Sequence, residues 1–416
     1  MSRARTVRAL LVGGPMYDGL YARIPEFERR TGVAVEVVAR LPHPELNARI
    51  DLERARASDA PSDLDLVSTH TKYAPAQARW LAPLDGLVDP SSLADLLPRP
   101  LELARVSGQL LQFPRNLDCG LLYYRRDLFE NERLQGEFER THRRPLRVPE
   151  TWDELVEVAI FLSGHGVHGF LFPGRASGLF GVFYQLLVCA GGELFDEGLR
   201  PAFDSPAGYY AADVLAELHH RRRTTPVELQ HWHFDEVSAA YRRGEAAMVA
   251  DWPGSDHLYT DPRTSVVADR TGIARLPGGF GGRRAAYAGC HSFAIPKGAR
   301  NPEGALELLG FLTSVESQID EAGRGALPVR RSAFAAMREA AKSDPRQTRR
   351  LDLLAQTSDD LIIPPRFAAY PDCEDAIWHG LQKAMTGAVS PRQAVEEAAR
   401  AVDAVVARSV QTVEVR

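Results

Sequence analysis

The sequence predicts an α/β protein of two hinged lobes around a ligand cleft. Three observations carry that expectation. The first third of the chain alternates strand-like and helix-like stretches. A long, mainly helical insertion follows, from about residue 150 to 243. Strand character then returns between residues 264 and 296. A chain that builds one α/β lobe, crosses to a second and crosses back joins the two by several strands, and such lobes close around a ligand.

The elements support this in order. Residues 6–12 are β-rich and end at Gly13-Gly14-Pro15. Residues 21–30 form an amphipathic helix stopped by Thr31-Gly32. Residues 33–39 are a second strand, residues 45–57 have helical spacing, and residues 64–67 are a third strand followed by polar residues 68–72. This β-α-β-α-β rhythm argues for a mostly parallel sheet. Residues 108–114 and 119–124 are strand-like and flank a polar turn. Thr151 with Glu154 three positions later predicts a capped helix start. Residues 179–195 are apolar but carry Tyr184, Gln185, Gly191, Gly192 and Glu193, so they read as a buried helix rather than a membrane span. Residues 287–296 are a late strand, and residues 301–313 and 391–406 are amphipathic helices. The expected lobes are 1–115 with 270–313, and 116–269 with 314–416, hinged near 113–119, 262–272 and 312–326.

Composition narrows the function. The 416 residues are 44% hydrophobic and 25% charged, ordinary for a globular chain with a sizeable core. Fifty basic against 55 acidic residues give a net charge of −5, which argues against a nucleic-acid partner. The lysines are Lys72, Lys297, Lys342 and Lys383; every other basic residue is Arg, scattered along the chain. Cys119, Cys189, Cys290 and Cys373 have no C-x-x-C spacing and read as free core thiols. Residues 1–8 are basic, but the apolar stretch after them is only four residues long, short of the roughly seven a secretory signal needs. A cytoplasmic chain, a removed leader and a misplaced start all stay open on that ground.

Several stretches together resemble the extracellular solute-binding proteins of ATP-binding-cassette (ABC) importers, in particular the sugar-binding group that includes maltose-binding protein. They are IPEFERRTGV (24–33), GQLLQFPRNLDCGLLYYRRDLF (108–129), GEAAM (244–248) with Trp252-Pro253-Gly254, and FAIPK (293–297) leading to Phe311-Leu312. GALPVRR (325–331) and Met385-Thr386-Gly387 with PRQA (391–394) continue it. The resemblance covers almost the whole chain. It implies the two-lobed periplasmic-binding-protein fold of type II. It also implies capture of a mono- or oligosaccharide, delivery to the transmembrane subunits of an ABC permease, no chemistry, no cofactor, no metal, a monomer, and a periplasmic or extracellular, membrane-associated place.

Ligands of open α/β lobes meet the loops at strand ends. Sugars need planar polar groups for their hydroxyls and an aromatic face for the ring. The candidates are Tyr17 and Asp18 in the first loop, and His70, Thr71 and Lys72 after the third strand. Arg115, Asn116 and Asp118 stand in the crossover; the resemblance marks Asp118 as a ligand carboxylate. Trp252 offers a stacking face. Gly289, Cys290 and His291 begin the late strand, where Gly289 permits close backbone approach. Arg366 and Tyr370 follow from the resemblance, and Arg175 and Phe180 precede the buried helix. Arg115, Arg175 and Arg366 leave an acidic or phosphorylated sugar open beside the neutral default. His231 and His233 have chelating spacing on a strand, but the resemblance makes them part of an ordinary aromatic segment. GGFGG (278–282) lacks the Gly-Lys-Ser/Thr ending of a phosphate loop. Two alternatives remain: a cytoplasmic sugar-sensing binding protein, and a sugar-active hydrolase needing two flanking carboxylates, for which Asp118 and Asp251 are available.

Overall fold

The structure, a computed structural model, describes residues 6–56, 61–279 and 281–414, with side chains to residue 409. The first part of the basic N-terminus (1–5), Ala57 at the end of the second predicted helix, and Phe280 of GGFGG lie outside the described residues. The chain divides into two compact units. The first contains Met1–Asp118, Gly289–Leu351 and Pro365–Tyr370; the second contains Cys119–Ala288, Asp352–Pro364 and Pro371–Arg416.

The first unit is built on a five-stranded sheet. Its strand order is Ala34–Leu41, Thr6–Val12, Leu66–His70, His291–Ala294, Phe113–Pro114. The first two pairings are parallel, as the β-α-β rhythm predicts. The late strand is antiparallel to both of its neighbours, so the sheet is mixed rather than mostly parallel. Helix Asp18–Thr31 buries Leu20, Ile24 and Phe27 and ends at Gly32, whose φ of 71° is the left-handed cap that glycine adopts freely. The third strand runs to His70, beyond the expected end at residue 67, because Thr69 and His70 pair with Ser292 and His291. The polar side chains this buries are bonded to one another. Thr69 Oγ1 and Gln112 Nε2 meet Gln77 Oε1 at 2.8 and 3.2 Å, and Ser292 Oγ meets Gln112 Oε1 at 2.7 Å.

Residues 314–351 belong to this first unit, not to the second as the sequence suggests. The cause is helix Val315–Ala322, which packs along helix Asp18–Thr31. Arg23 reaches Ser317 Oγ at 3.3 Å, and Arg30 makes a two-pronged pair with Glu316 at 3.2 and 3.3 Å. The late return to the first unit likewise falls at Gly289 rather than near residue 270. Strand Thr271–Arg275 pairs with Leu121–Arg125 inside the second unit.

The second unit holds a four-stranded sheet in the order Thr271–Arg275, Leu121–Arg125, Ala246–Asp251, His168–Leu171. Helix Trp152–Ser163 starts at Thr151, whose Oγ1 accepts the Glu154 N–H at 3.2 Å. Glu154 Oε2 accepts the N–H of Glu150 at 2.8 Å, satisfying another donor at the helix entry. Helix Ala176–Cys189 is buried from Gly178 to its end, which explains its near-continuous apolar sequence. Among the described residues no helix is long and apolar enough to cross a membrane. All four cysteines are buried thiols, with no disulfide among the described residues.

Candidate functional site

In the first unit a polar cluster gathers at the ends of the third and late strands. His70 closes the third strand, and the N–H groups of Lys72 and Cys290 point at its two ring nitrogens at 3.2 and 3.0 Å. A neutral imidazole accepts at one of these nitrogens, and an imidazolium, with a hydrogen on each, at neither. Burial and the charge of Lys72 accordingly hold His70 well below the ordinary histidine range. His291 lies 5.2 Å from His70 and stacks on His43 at 4.6 Å between centroids. Desolvation, then Lys72 and Arg115, press His43 down to about 3. The Tyr17 hydroxyl lies 3.0 Å from His43 Nε2, and its ring meets both His43 and His291 edge-on.

Arg115 completes this wall. Its guanidinium lies 5.4 Å from the Tyr17 ring centroid and pairs with Glu321 at 2.6 Å, both side chains buried. Asn116 accepts the His291 N–H at 3.2 Å and donates to Asp118. Burial pushes Asp118 up to about 7, although Arg115 and Arg350 both oppose the shift. Asp118 Oδ1 is enclosed without a hydrogen-bond partner among the described residues. Thr71 and Cys290 are buried in the same place, where the Thr71 N–H meets the Cys290 carbonyl at 2.9 Å. The buried Lys72 ammonium sits 4.8 Å from the Tyr73 ring. Asp18 is exposed in the first turn of its helix.

Arg366 and Tyr370 also fall in the first unit, at the edge of this cluster: Arg366 acts electrostatically on Cys290, and Tyr370 meets Tyr73, the neighbour of His70. Arg366 donates to the carbonyls of Leu103 and Arg105, each at 2.6 Å, and so closes the C-terminal end of the short helix Pro98–Leu103. Tyr370 is fully buried beside Tyr73 and Phe367.

The second unit carries an aromatic pocket. Trp252 is half-buried, 5.3 Å from Phe234 and 6.1 Å from Tyr287 between ring centroids. Gln185, Leu276 and Asp251 complete its wall. The Trp252 peptide is clamped at both ends: its N–H donates to Asp251 Oδ1 at 2.7 Å, and its carbonyl accepts from the Tyr123 hydroxyl at 3.2 Å. The other oxygen of Asp251 accepts from Tyr259. Burial raises Asp251 to about 6 against these donors. Gly181 leaves room for Tyr287, because a Cβ there would lie 2.5 Å from Tyr287 Cδ1. Phe180 is fully buried behind the pocket, 6.0 Å from Tyr287, and Arg175 precedes the helix that carries it. His233 stands at the start of helix Phe234–Arg242 in a reciprocal cap with Glu236. Among the described residues no cluster of His, Cys, Asp and Glu is arranged to hold a metal ion.

Residues 13–319 match the profile of the bacterial extracellular solute-binding proteins. The chain belongs to that family. This solute-binding protein is 24% identical over 320 residues to a probable ABC transporter-binding protein of Deinococcus radiodurans, covering 73% of this chain and 71% of that one. It is 29% identical over 244 residues to a mannitol-binding protein of Pseudomonas aeruginosa, covering 56% and 52%, so the match spans about half of that relative. Its fold matches maltose-bound MalE3 of T. maritima with a TM-score of 0.83 at 26% identity, over 96% of this chain and 99% of that one. A solute-binding protein of Agrobacterium vitis with bound D-mannitol has the same fold, at a TM-score of 0.80 and 22% identity over 97% and 99%. The two-lobed periplasmic-binding-protein fold expected from the sequence is therefore the fold of this chain.

The sequence did not single out His43, Glu321, Gln185, Tyr287 or Phe234 as site residues. Tyr287 and Phe234 were within reach, as aromatic residues beside segments already marked. His43 and Glu321 enter only through long-range packing.

Proposed function

We propose that this chain is the substrate-binding component of an ABC importer, capturing a sugar or polyol and passing it unchanged to a membrane permease. The aromatic pocket around Trp252 carries the reading. A half-buried indole held at both ends of its peptide, beside Phe234 and Tyr287, offers flat apolar faces to the C–H side of a saccharide or alditol. The polar wall of the first unit supplies a second set of candidate contacts, from Tyr17, His70, Thr71, Lys72, Arg115, Asn116, Asp118 and Gly289 to His291. The ligands named for the mannitol-binding relative and for the maltose-bound structure support the substrate class. A role without chemistry agrees with Asp251, whose two oxygens are engaged in holding Trp252 and Tyr259. The same reading puts the protein outside the cytoplasmic membrane, working as a monomer without a cofactor.

Thermal unfolding against a panel of neutral and acidic sugars and alditols tests this. A true ligand at 100 times its Kd adds about 2.7 kcal/mol to the folded state. A selective rise in midpoint supports the reading, and a flat panel overturns the carbohydrate assignment.

A further inference from the structure

We infer that Glu321 sets the charge class of the cargo: by neutralising Arg115 it makes this a receptor for uncharged sugars or alditols rather than sugar acids or sugar phosphates. The inference deepens the function proposed above and rests on it.

Arg115 is the cation best placed to read a ligand oxygen in the first unit. It is 4% exposed and sits in the wall formed by Tyr17 and His291. Its Nε and Nη1 are buried with no hydrogen-bond partner among the described residues. A guanidinium left with unmet N–H groups in such a place wants acceptors that a ligand can bring. Taken alone, it would favour a carboxylate or phosphate, which it binds in a two-pronged fork.

Glu321 removes that preference. Its Oε2 lies 2.6 Å from Arg115 Nη2, and its side chain is as deeply buried as its partner's. The pair is held by the helix Val315–Ala322. On that helix Gln318, one turn before Glu321, donates to the Arg115 carbonyl at 3.2 Å. Gln318 also accepts the N–H groups of Val329 and Arg330 at 3.0 and 3.1 Å, which locks the helix in register with the Arg115 segment. What remains for a ligand is two donor nitrogens, Nε with one N–H and Nη1 with two, with no net charge behind them. Hydroxyl oxygens satisfy such donors, whereas an anion would give up its hydration and meet Glu321 as a like charge.

The histidines around Arg115 are held neutral and add no positive charge. Arg366 keeps its charge, but its donors are committed to the carbonyls of Leu103 and Arg105 rather than open to a ligand. Lys72 is a second buried cation of the wall, and the buried Arg350 acts on Asp118.

The test is calorimetric titration of matched pairs: D-glucose against D-glucuronate, D-mannitol against D-mannonate, and D-glucose against D-glucose 6-phosphate. The wild type should bind one neutral member at least 30-fold more tightly than its anionic counterpart. Glu321→Gln, which frees the Arg115 charge, should narrow that ratio at least tenfold. Arg115→Met should weaken the neutral ligand while keeping the preference. A structural role for the pair would move both members of a pair together and leave the ratio fixed. An anionic sugar bound as tightly as its neutral partner by the wild type overturns the inference while leaving the carbohydrate reading intact. An unchanged ratio in a folded Glu321→Gln protein also overturns it. If that variant does not fold, the wild-type ratio and Arg115→Met decide. If no sugar or alditol of either charge binds, the proposed function falls and the inference with it.

Discussion

Asp118 and His70 are two buried titratable groups with opposite consequences. Asp118 is raised to about 7 by burial, so the folded state holds its proton at pH values where the unfolded chain has released it. Its contribution is fully present below the unfolded carboxylate value near 4 and is lost as pH rises toward 7. Asp118→Asn should therefore flatten that loss, worth at most about 4 kcal/mol, in denaturant titrations from pH 4 to 8. His70 is depressed, so its penalty appears as pH falls below about 6.5, where the unfolded chain binds the proton first. At Trp252 the prediction concerns binding. Trp252→Ala removes a half-buried stacking face and should weaken the ligand by at least tenfold, with a melting midpoint within a few degrees of wild type. An unchanged affinity would remove Trp252 from the site. Trp252 was legible as a candidate from its stacking chemistry, and Asp118 from the resemblance of the crossover segment. The pairing of Arg115 with Glu321 was not, because 206 positions separate them and only folding brings them together.

At the scale of elements, two devices shape the sites. Helix Ala176–Cys189 approaches strand Ala286–Gly289 through Gly181, where a Cβ would press into the Tyr287 ring. Gly181→Ala improves helix propensity by about 1 kcal/mol yet should destabilise the protein by about 1–3 kcal/mol and weaken ligand binding, since Tyr287 must move. Denaturant midpoints and titration calorimetry check both. Arg366 closes the short helix Pro98–Leu103 through two carbonyls. Arg366→Met should cost about 1–3 kcal/mol of stability, and a binding constant unchanged beside that loss would assign Arg366 to the helix end rather than the ligand. The helix over Ala176–Cys189 and the Thr151 cap were readable from local pattern, because period and capping chemistry are properties of neighbouring residues. The end of the third strand was not, since Thr69 and His70 are polar and their strand state comes from pairing with residues 291 and 292.

For the whole molecule, the α/β character, the late return of the chain and the family were legible because they are spread over many soft signals in a fixed order. The division of the chain was less so. Residues 314–351 join the first unit because Arg23 meets Ser317 across 294 positions and Arg30 meets Glu316 across 286, contacts no local pattern announces. The central claim is that a saccharide or alditol is captured reversibly and released unaltered. The most direct measurement is equilibrium dialysis of the purified protein against the panel, with the retained ligand identified by NMR after release. One neutral sugar or alditol should be retained at one per chain and recovered chemically unchanged. Retention of none, or recovery of a cleaved or modified sugar, would contradict it.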